Sequence, residues 1–223
     1  MRAATLVRTA TQKRILKERG FEHLTIWPGA VDTGLFRPRG KGALCLPRPI
    51  AMYMGRVAVE KGLDAFLDLD LPGSKVVVGG GPDLEKLRGA YPHAHFLGPK
   101  FGEELAGLLS AADVFVFPSK TDTLGLVMLE AMACGVPVVA SDIGGVREWL
   151  RPNETGVLVP PKDPDALAAG MRQLLNDSDL NLSYGRNGLA LVRERFSRDF
   201  HVVRLLERYS ACLEGKEARR AAS

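Results

Sequence analysis

"DVFVFPSKTDTLGLVMLEAMACGVPVVAS", residues 113–141, runs from one apolar stretch to another through a segment of different period. Residues 113–119 and 136–141 are short, rich in valine and phenylalanine and almost free of charge, as strands covered on both faces are. Between them "GLVMLEAMACG" places its apolar residues at helical spacing. A strand, a helix and a strand joined by short loops pair in parallel through a right-handed crossover. Working outward, "IAMYMG" (50–55), "KVVVGG" (75–80), "AHFLG" (94–98) and "TGVLVP" (155–160) repeat the strand pattern. "VEKGLDAFLDL", "GPDLEKLRGA", "GEELAGLLSAA" and "GGVREWL" supply helical segments between them. The expected fold is α/β, a doubly wound parallel sheet with helices on both faces, whose ligands bind beyond the carboxyl ends of the strands.

Two flanks stand apart. At the start, "ATLVRT", "ATQKRILKERG" and "HLTIW" read as strand, helix and strand, followed by a Gly- and Pro-rich loop. From about 163 to 213 the chain reads as helical, with breaks expected at Gly185, Gly188 and "RFSRDF". The expected division is 1–48 as remnant of another domain plus linker, 49–196 as the sheet domain, and 197–223 as a terminal helix with a disordered tail.

Composition narrows the function classes. The chain has 223 residues, 46% of them hydrophobic, enough for one well-buried domain. Its net charge of +4 is spread along the chain, with one dense basic cluster in "EARRAAS". That favours small anions or a membrane surface over nucleic acid. Three cysteines, Cys45, Cys134 and Cys212, lack CxxC spacing and are expected as core thiols in a reducing compartment. No apolar run approaches the roughly 20 residues of a membrane span, and the start lacks a signal-type apolar core, so a cytoplasmic protein, at most peripheral to a membrane, is expected.

Asp122 and Glu130 are the only charges between Thr121 and Ser141. Asp122 falls in the loop after a strand, just before a helix start near Leu124 or Gly125, and Glu130 lies inside that helix. The free amides of the helix start favour a phosphate, and Gly125 permits close approach. Carboxylates flanking a phosphate suit ligand hydroxyls, since contact with the phosphate itself is repulsive. The plainer reading makes Asp122 a helix cap and Glu130 a solvated helix residue. Arg56 and Lys61 stand in and beyond the turn opened by Gly55, where two cations can neutralise a diphosphate without a metal. A solvated turn is their plainer reading.

Taken in order, "GRVAVEKGLD", "VGGGPDLEKLR", "HFLGPKFGEEL", "AADVFVFPS", "TDTLGLVMLEAMACGVPVVAS", "GGVREWL" and "GVLVPPKDPDALAAGM" resemble the carboxyl-terminal, donor-binding domain of GT-B retaining glycosyltransferases, family 4 (group 1). The resemblance runs from about residue 50 to 200 and implies a Rossmann-like sheet. The family's Glu-x7-Glu motif corresponds to Asp122 and Glu130, the first acid being one methylene shorter here. By resemblance, Arg56 and Lys61 hold the diphosphate of a nucleotide sugar. The backbone of Leu124, Gly125, Leu126 and Val127 then meets the distal phosphate and sugar, Glu130 takes the ribose, and Gly98, Pro99 and Lys100 lie by the base. "TDTLG" is similar to the branch of α-mannosyltransferases and sulfoquinovosyl-type transferases, which tilts the donor toward GDP-mannose. The resemblance implies hexosyl transfer to a lipid or saccharide acceptor with no metal cofactor. The opening segment is similar to the end of the family's acceptor domain, so self-association or a separate acceptor-domain chain is expected. A non-catalytic nucleotide-sugar-binding subunit and a sugar-nucleotide epimerase of the same architecture are the alternatives.

Other signals are weaker. Asp68 and Asp70 have the DxD spacing of some metal sites but end a helix. His93 and His95 have no third ligand nearby in sequence. "GGGP" at 79–82 reads as a tight strand-to-helix turn before it reads as a ligand loop.

Overall fold

A computed structural model describes residues 5–221, apart from the side chains of Arg208 and of residues 211–221. Strand β1 (Thr5–Val7), helix α1 (Ala10–Glu18) and strand β2 (Leu24–Ile26) make a two-stranded parallel unit. A loop then leads into β3 (Ile50–Met54), α2 (Leu63–Leu67), β4 (Ser74–Val78), α3 (Leu84–Ala90), β5 (His95–Gly98), α4 (Gly102–Ala111), β6 (Val114–Phe117), α5 (Leu126–Ala133), β7 (Val138–Ser141) and β8 (Gly156–Val159). Helices α6 (Pro164–Asn176), α7 (Ser178–Arg195) and α8 (Arg198–Ala221) follow.

The six later strands form one parallel sheet in the order β5-β4-β3-β6-β7-β8. Every residue of β3, β6 and β7 is buried, because helices cover both faces. The order reverses between β3 and β6. A switch point of this kind is where the ligands of doubly wound sheets bind.

Local chemistry sets the joints. The Asp113 carboxylate accepts from the Ile50 amide at 2.7 Å and pairs with Arg48, fixing the entry to β3. Asp163 caps α6 by accepting from the Ala166 amide at 2.9 Å, with Pro164 as the first helical residue. Asp177 ends α6 and caps α7 through the Leu180 amide, a break that the sequence pattern does not announce. In the linker, the Val31 amide donates to the Phe196 carbonyl at 2.8 Å and the Arg198 amide to the Val31 carbonyl at 3.0 Å. The amino-terminal linker is thereby laced into the α7–α8 joint.

Several expectations need correction. "GGVREWL" makes only a 3-10 turn, Val146–Glu148. Gly144 lies so tightly against the β6 loop that a Cβ there would be 2.2 Å from the Asp122 carbonyl oxygen, and no full helix fits. "VEKGLDAFLDL" is split at Gly62 into a 3-10 turn, Val59–Lys61, and α2. Gly185 and Gly188 do not break a helix; both are buried inside α7. They let α7 approach α5 closely: a Cβ on Gly185 would be 2.4 Å from the Gly135 carbonyl oxygen, and one on Gly188 would be 3.1 Å from Met132. The helix expected to stop near 213 continues to Ala221, while the rest of the expected disordered tail lies outside the described residues. Cys134 is buried and burial pushes its thiol up to about 12, but Cys45 is exposed in the linker, and the Cys212 side chain lies outside the described residues.

Gly185 therefore offers a packing test. Gly185→Ala should cost about 1–3 kcal/mol in urea unfolding, since the clash is with backbone. Gly89→Ala in α3, where nothing lies within 4 Å of the added Cβ, should stabilise by roughly 0.5–1 kcal/mol. Equal effects of the two substitutions would refute the close-packing account.

Candidate functional site

Loops at the carboxyl ends of five neighbouring strands form one continuous rim. A Cβ on Gly80, after β4, would sit 3.1 Å from Pro99 after β5, and one on Gly79 would be 1.9 Å from the Gly55 carbonyl oxygen after β3. "GGGP" is thus a turn wedged against its neighbours. The Lys120 amide donates to the Glu60 carbonyl at 2.8 Å, tying the β6 loop to the 3-10 turn that follows β3. The Gly145 amide donates to the Thr123 carbonyl at 3.2 Å, tying in the loop after β7.

At the switch point the rim carries charge. Lys61 Nζ lies 3.0 Å from Asp122 Oδ2, both side chains being more than 80% buried, and 5.7 Å from the centre of the Phe117 ring. Asp122 Oδ1 accepts from the amides of Leu124 at 3.1 Å and Gly125 at 2.8 Å. The carboxylate thus has three of its roughly four lone-pair sites occupied, leaving one for a ligand hydroxyl. Gly125 sits at φ 74°, ψ 50°, a left-handed position that glycine takes without strain, and begins α5. The amides of Leu126 and Val127, in the first turn, have no intrahelical acceptor.

Arg56 differs from Lys61. Its side chain is 66% exposed and only 3.8 Å from Glu60, a loose contact that leaves the guanidinium free to turn. Its backbone is fixed: the fully buried Tyr53 hydroxyl donates to the Arg56 carbonyl oxygen at 2.8 Å. Burial, aided by the negative charges of Asp122 and Glu60, keeps the Tyr53 phenol protonated well above its ordinary range. Gly98 ends β5 at φ 70°, Pro99 adjoins Gly80, and Lys100 pairs with Glu104 at 2.6 Å.

Glu130 projects from the second turn of α5, half-buried, with no hydrogen-bond or ion-pair partner among the described residues. Burial alone pushes its carboxyl up to about 7. It poses a different problem from Asp122: it is a desolvated acid whose charge has no compensating donor, and ligand hydroxyls would supply one.

The sequence missed three supports of this site. Tyr53 is one; a tyrosine in an otherwise aliphatic buried strand was the available signal, since its hydroxyl needs a partner. Trp149 donates from Nε1 to the Leu124 carbonyl at 3.1 Å and is the second. Glu148 is the third, its two carboxylate oxygens accepting from the amides of Ala10 at 2.6 Å and Thr11 at 2.8 Å at the start of α1. The DxD pair does not join the rim. Asp68 accepts from the Tyr91 hydroxyl at 2.7 Å, and the Asp70 carbonyl accepts from Arg172. A cleft of about 730 Å³ opens near the amino ends of β3 and β6 beside Lys41, Asp113 and Asn181, and contains none of the rim residues.

Against known proteins, residues 48–177 match the family model described as "Glycosyl transferases group 1". The chain belongs to this family. Among its relatives, a GDP-mannose-dependent alpha-mannosyltransferase of Mycobacterium tuberculosis is 33% identical over 96% of this chain and 57% of that protein. A sulfoquinovosyl transferase of Arabidopsis thaliana is 36% identical over 73% of this chain and 35% of that protein. The family chain thus spans from about a third to somewhat over half the length of these relatives. Among solved structures, a sucrose-phosphate synthase from Thermosynechococcus elongatus superposes with TM-score 0.86 at 29% identity, over 94% of this chain and 58% of that one. The C-terminal domain of a glycosyl transferase group 1 family protein from Francisella tularensis is matched over 99% of its length by 75% of this chain, with TM-score 0.66 and 25% identity. The GT-B fold and the group 1 assignment expected from the motifs are both borne out. No helix among the described residues is long and apolar enough to cross a membrane.

Glu130 generates a pH test. Its carboxyl is raised from about 4.5 when unfolded to about 7 when folded, so the native state keeps this proton longer. Stability is then lost as pH rises between those values, and the loss is complete above about 7. Glu130→Gln should match the parent below pH 4.5 and exceed it by on the order of 2–3 kcal/mol at pH 8 in denaturant titrations of the unliganded chain. A constant difference across that range would refute the burial argument.

Proposed function

We propose that the rim at the β3–β6 switch point binds a nucleotide-diphosphate sugar, and that the chain is the donor-binding part of a retaining hexosyltransferase. The observation that carries this reading is the buried Lys61–Asp122 pair, with the exposed Arg56 guanidinium on the same rim and the unfilled amides of Leu126 and Val127 at the start of α5. Lys61 is held in place before a ligand arrives, so its charge meets a diphosphate without reorganisation. Arg56 closes on the outer oxygens with its planar fork. As the bond between the anomeric carbon and the diphosphate lengthens, negative charge grows on the leaving oxygens, and these two cations and the helix start stabilise it. No divalent ion is needed where that potential is already built in.

Within this reading Asp122 has two jobs. It orients Lys61 and, through its remaining lone pair, accepts from a hydroxyl of the transferred sugar. Glu130 accepts from the ribose hydroxyls, which lowers its carboxyl from about 7 and releases a proton on binding below that pH. Gly98, Pro99 and Lys100 flank the base. The names of the relatives that are 32–33% identical, two of them GDP-mannose-dependent mannosyltransferases of Mycobacterium tuberculosis, favour GDP-mannose as donor and a lipid or saccharide as acceptor.

The acceptor has to be held in register with the donor, which contributes roughly 7–11 kcal/mol in well-oriented reactions. The amino-terminal unit and α8 expose Leu6, Ile15, Phe21, Ile26, Val202, Val203 and Leu206. Such surface fits an acceptor-binding partner domain, in the same or another chain, or self-association.

Calorimetry with GDP should show affinity about ten- to a hundred-fold weaker for Arg56→Ala and Lys61→Ala, the loss of one charge-assisted contact of about 1.5–3 kcal/mol. Asp122→Asn should weaken GDP-mannose more than GDP, and EDTA should change neither. Unchanged affinity in both cation variants would sink the site assignment. Residues 1–223 alone should bind donor yet transfer little hexose and self-associate in ultracentrifugation. Robust transfer by a monomer would show that these residues build a complete cleft.

A further inference from the structure

A cleft of about 580 Å³ opens where the amino-terminal unit meets the α7–α8 joint. Arg8 and Lys13 line it from one side and Arg195 and Arg204 from the other, with Glu148 as the one acid in its lining. Both oxygens of Glu148 are bound by amides at the positive end of α1, so its charge is already compensated. None of the four cations makes an ion pair among the described residues. Arg195 and Arg204 instead lie over the rings of Phe196 and Phe200, at 5.9 and 5.3 Å. Four like charges around one cavity repel one another, and an anion between them removes the repulsion.

A second, independent observation comes from His201. It lines the cleft, is 2% exposed, and is held by ring contacts to Trp27, Phe196 and Phe200. Its Nε2 meets the Arg195 carbonyl oxygen at 3.1 Å, which places the ring proton on Nε2. Its Nδ1 is buried with no hydrogen-bond partner. A buried ring nitrogen without a partner, beside four unpaired cations, calls for a ligand that brings both negative charge and a proton.

We propose that this cleft binds the phosphate of a phosphomonoester, with Arg8, Lys13, Arg195 and Arg204 around its oxygens and one proton shared between the phosphate and His201 Nδ1. A phosphomonoester fits better than a carboxylate because it carries up to two charges and its second pKa is about 6, so near pH 6 about half of it still has a proton to share. The indole of Trp149 and the ring of Phe196, also in the lining, take the organic part. Leu124 belongs both to this cleft and to the loop capped by Asp122, so the ester's remainder faces the donor rim. The bound molecule is then the acceptor, or its phosphorylated end; this last step rests on the donor-site reading above. The same chemistry is offered by a soluble sugar or polyol phosphate and by a phosphatidic acid head group.

Both tryptophans of the chain report on the site, Trp149 from its wall and Trp27 against His201. Titration of residues 1–223 with glycerol 3-phosphate should give a saturable change in tryptophan fluorescence, tightest near pH 6 and weakening as pH rises past 7. Arg8→Gln and Arg204→Gln, both at exposed positions, should weaken it tenfold or more, while Lys61→Ala leaves it unchanged. His201→Gln should flatten the pH dependence. Flotation with phosphatidylcholine vesicles, with and without phosphatidic acid, separates the sources. Capture by phosphatidic acid with no response to glycerol 3-phosphate assigns the phosphate to a lipid head group, and the reverse assigns it to a soluble ester. Binding of neither, or equal affinity in Arg8→Gln, Arg204→Gln and the parent chain, would overturn the proposal. Loss of ester binding in Arg204→Gln with GDP binding intact would separate this site from the donor rim, and loss of GDP binding in Lys61→Ala with ester binding intact would do the same from the other side.

Discussion

Asp122 is the constraint on which the rim depends. One carboxylate holds the Lys61 ammonium from the β3 side and the amides of Leu124 and Gly125 from the β6 side. With both charges more than four-fifths buried, each is costly without the other, and the amides satisfy much of the remaining acceptor capacity. The pair bridges the place where strand order reverses, alongside the backbone bond from the Lys120 amide to the Glu60 carbonyl. Side-chain chemistry thus reinforces the joint beyond the end of the β3–β6 ladder.

Glu130 shows the opposite strategy in the same helix. Asp122 is held by three partners and stays fixed, whereas Glu130 is desolvated and lacks them. A site that combines a rigid charge with an uncompensated one favours a ligand over water: the first sets geometry, and the second gains most when donors arrive. Arg56 adds a third behaviour, an exposed side chain on a backbone pinned by the Tyr53 hydroxyl.

The strands of the main sheet were legible because a strand buried on both faces needs an uninterrupted apolar run, and runs such as "VFVF" and "VVAS" have no other use in a chain of this composition. Arg56, Lys61 and Asp122 were legible as charges beyond strand ends, and Glu130 as an acid inside the helix that follows Asp122. Their environments were not. Lys61 and Asp122 are 61 residues apart, and nothing local says that they touch. The errors share a cause. Gly185 and Gly188 read as helix breaks because glycine lowers helix propensity, yet the α5 contact requires the absence of side chains there. "GGVREWL" read as a helix from its apolar spacing, yet the loop across which it is drawn allows only one turn. In each case a tertiary contact overrode a local preference.

The Glu148–Trp149 dipeptide works as a mechanical linkage. Glu148 grips the first amides of α1, and its neighbour's indole grips the Leu124 carbonyl, whose own amide is held by Asp122. A line of hydrogen bonds and one peptide unit therefore runs from the amino-terminal unit to Lys61. Rotation of that unit about the Val31 and Phe196 lacing must either snap the grip at α1 or tug on the loop that seats the Lys61 ammonium. The seating of the amino-terminal unit and the seating of the Lys61 ammonium are thus ends of one continuous mechanical path.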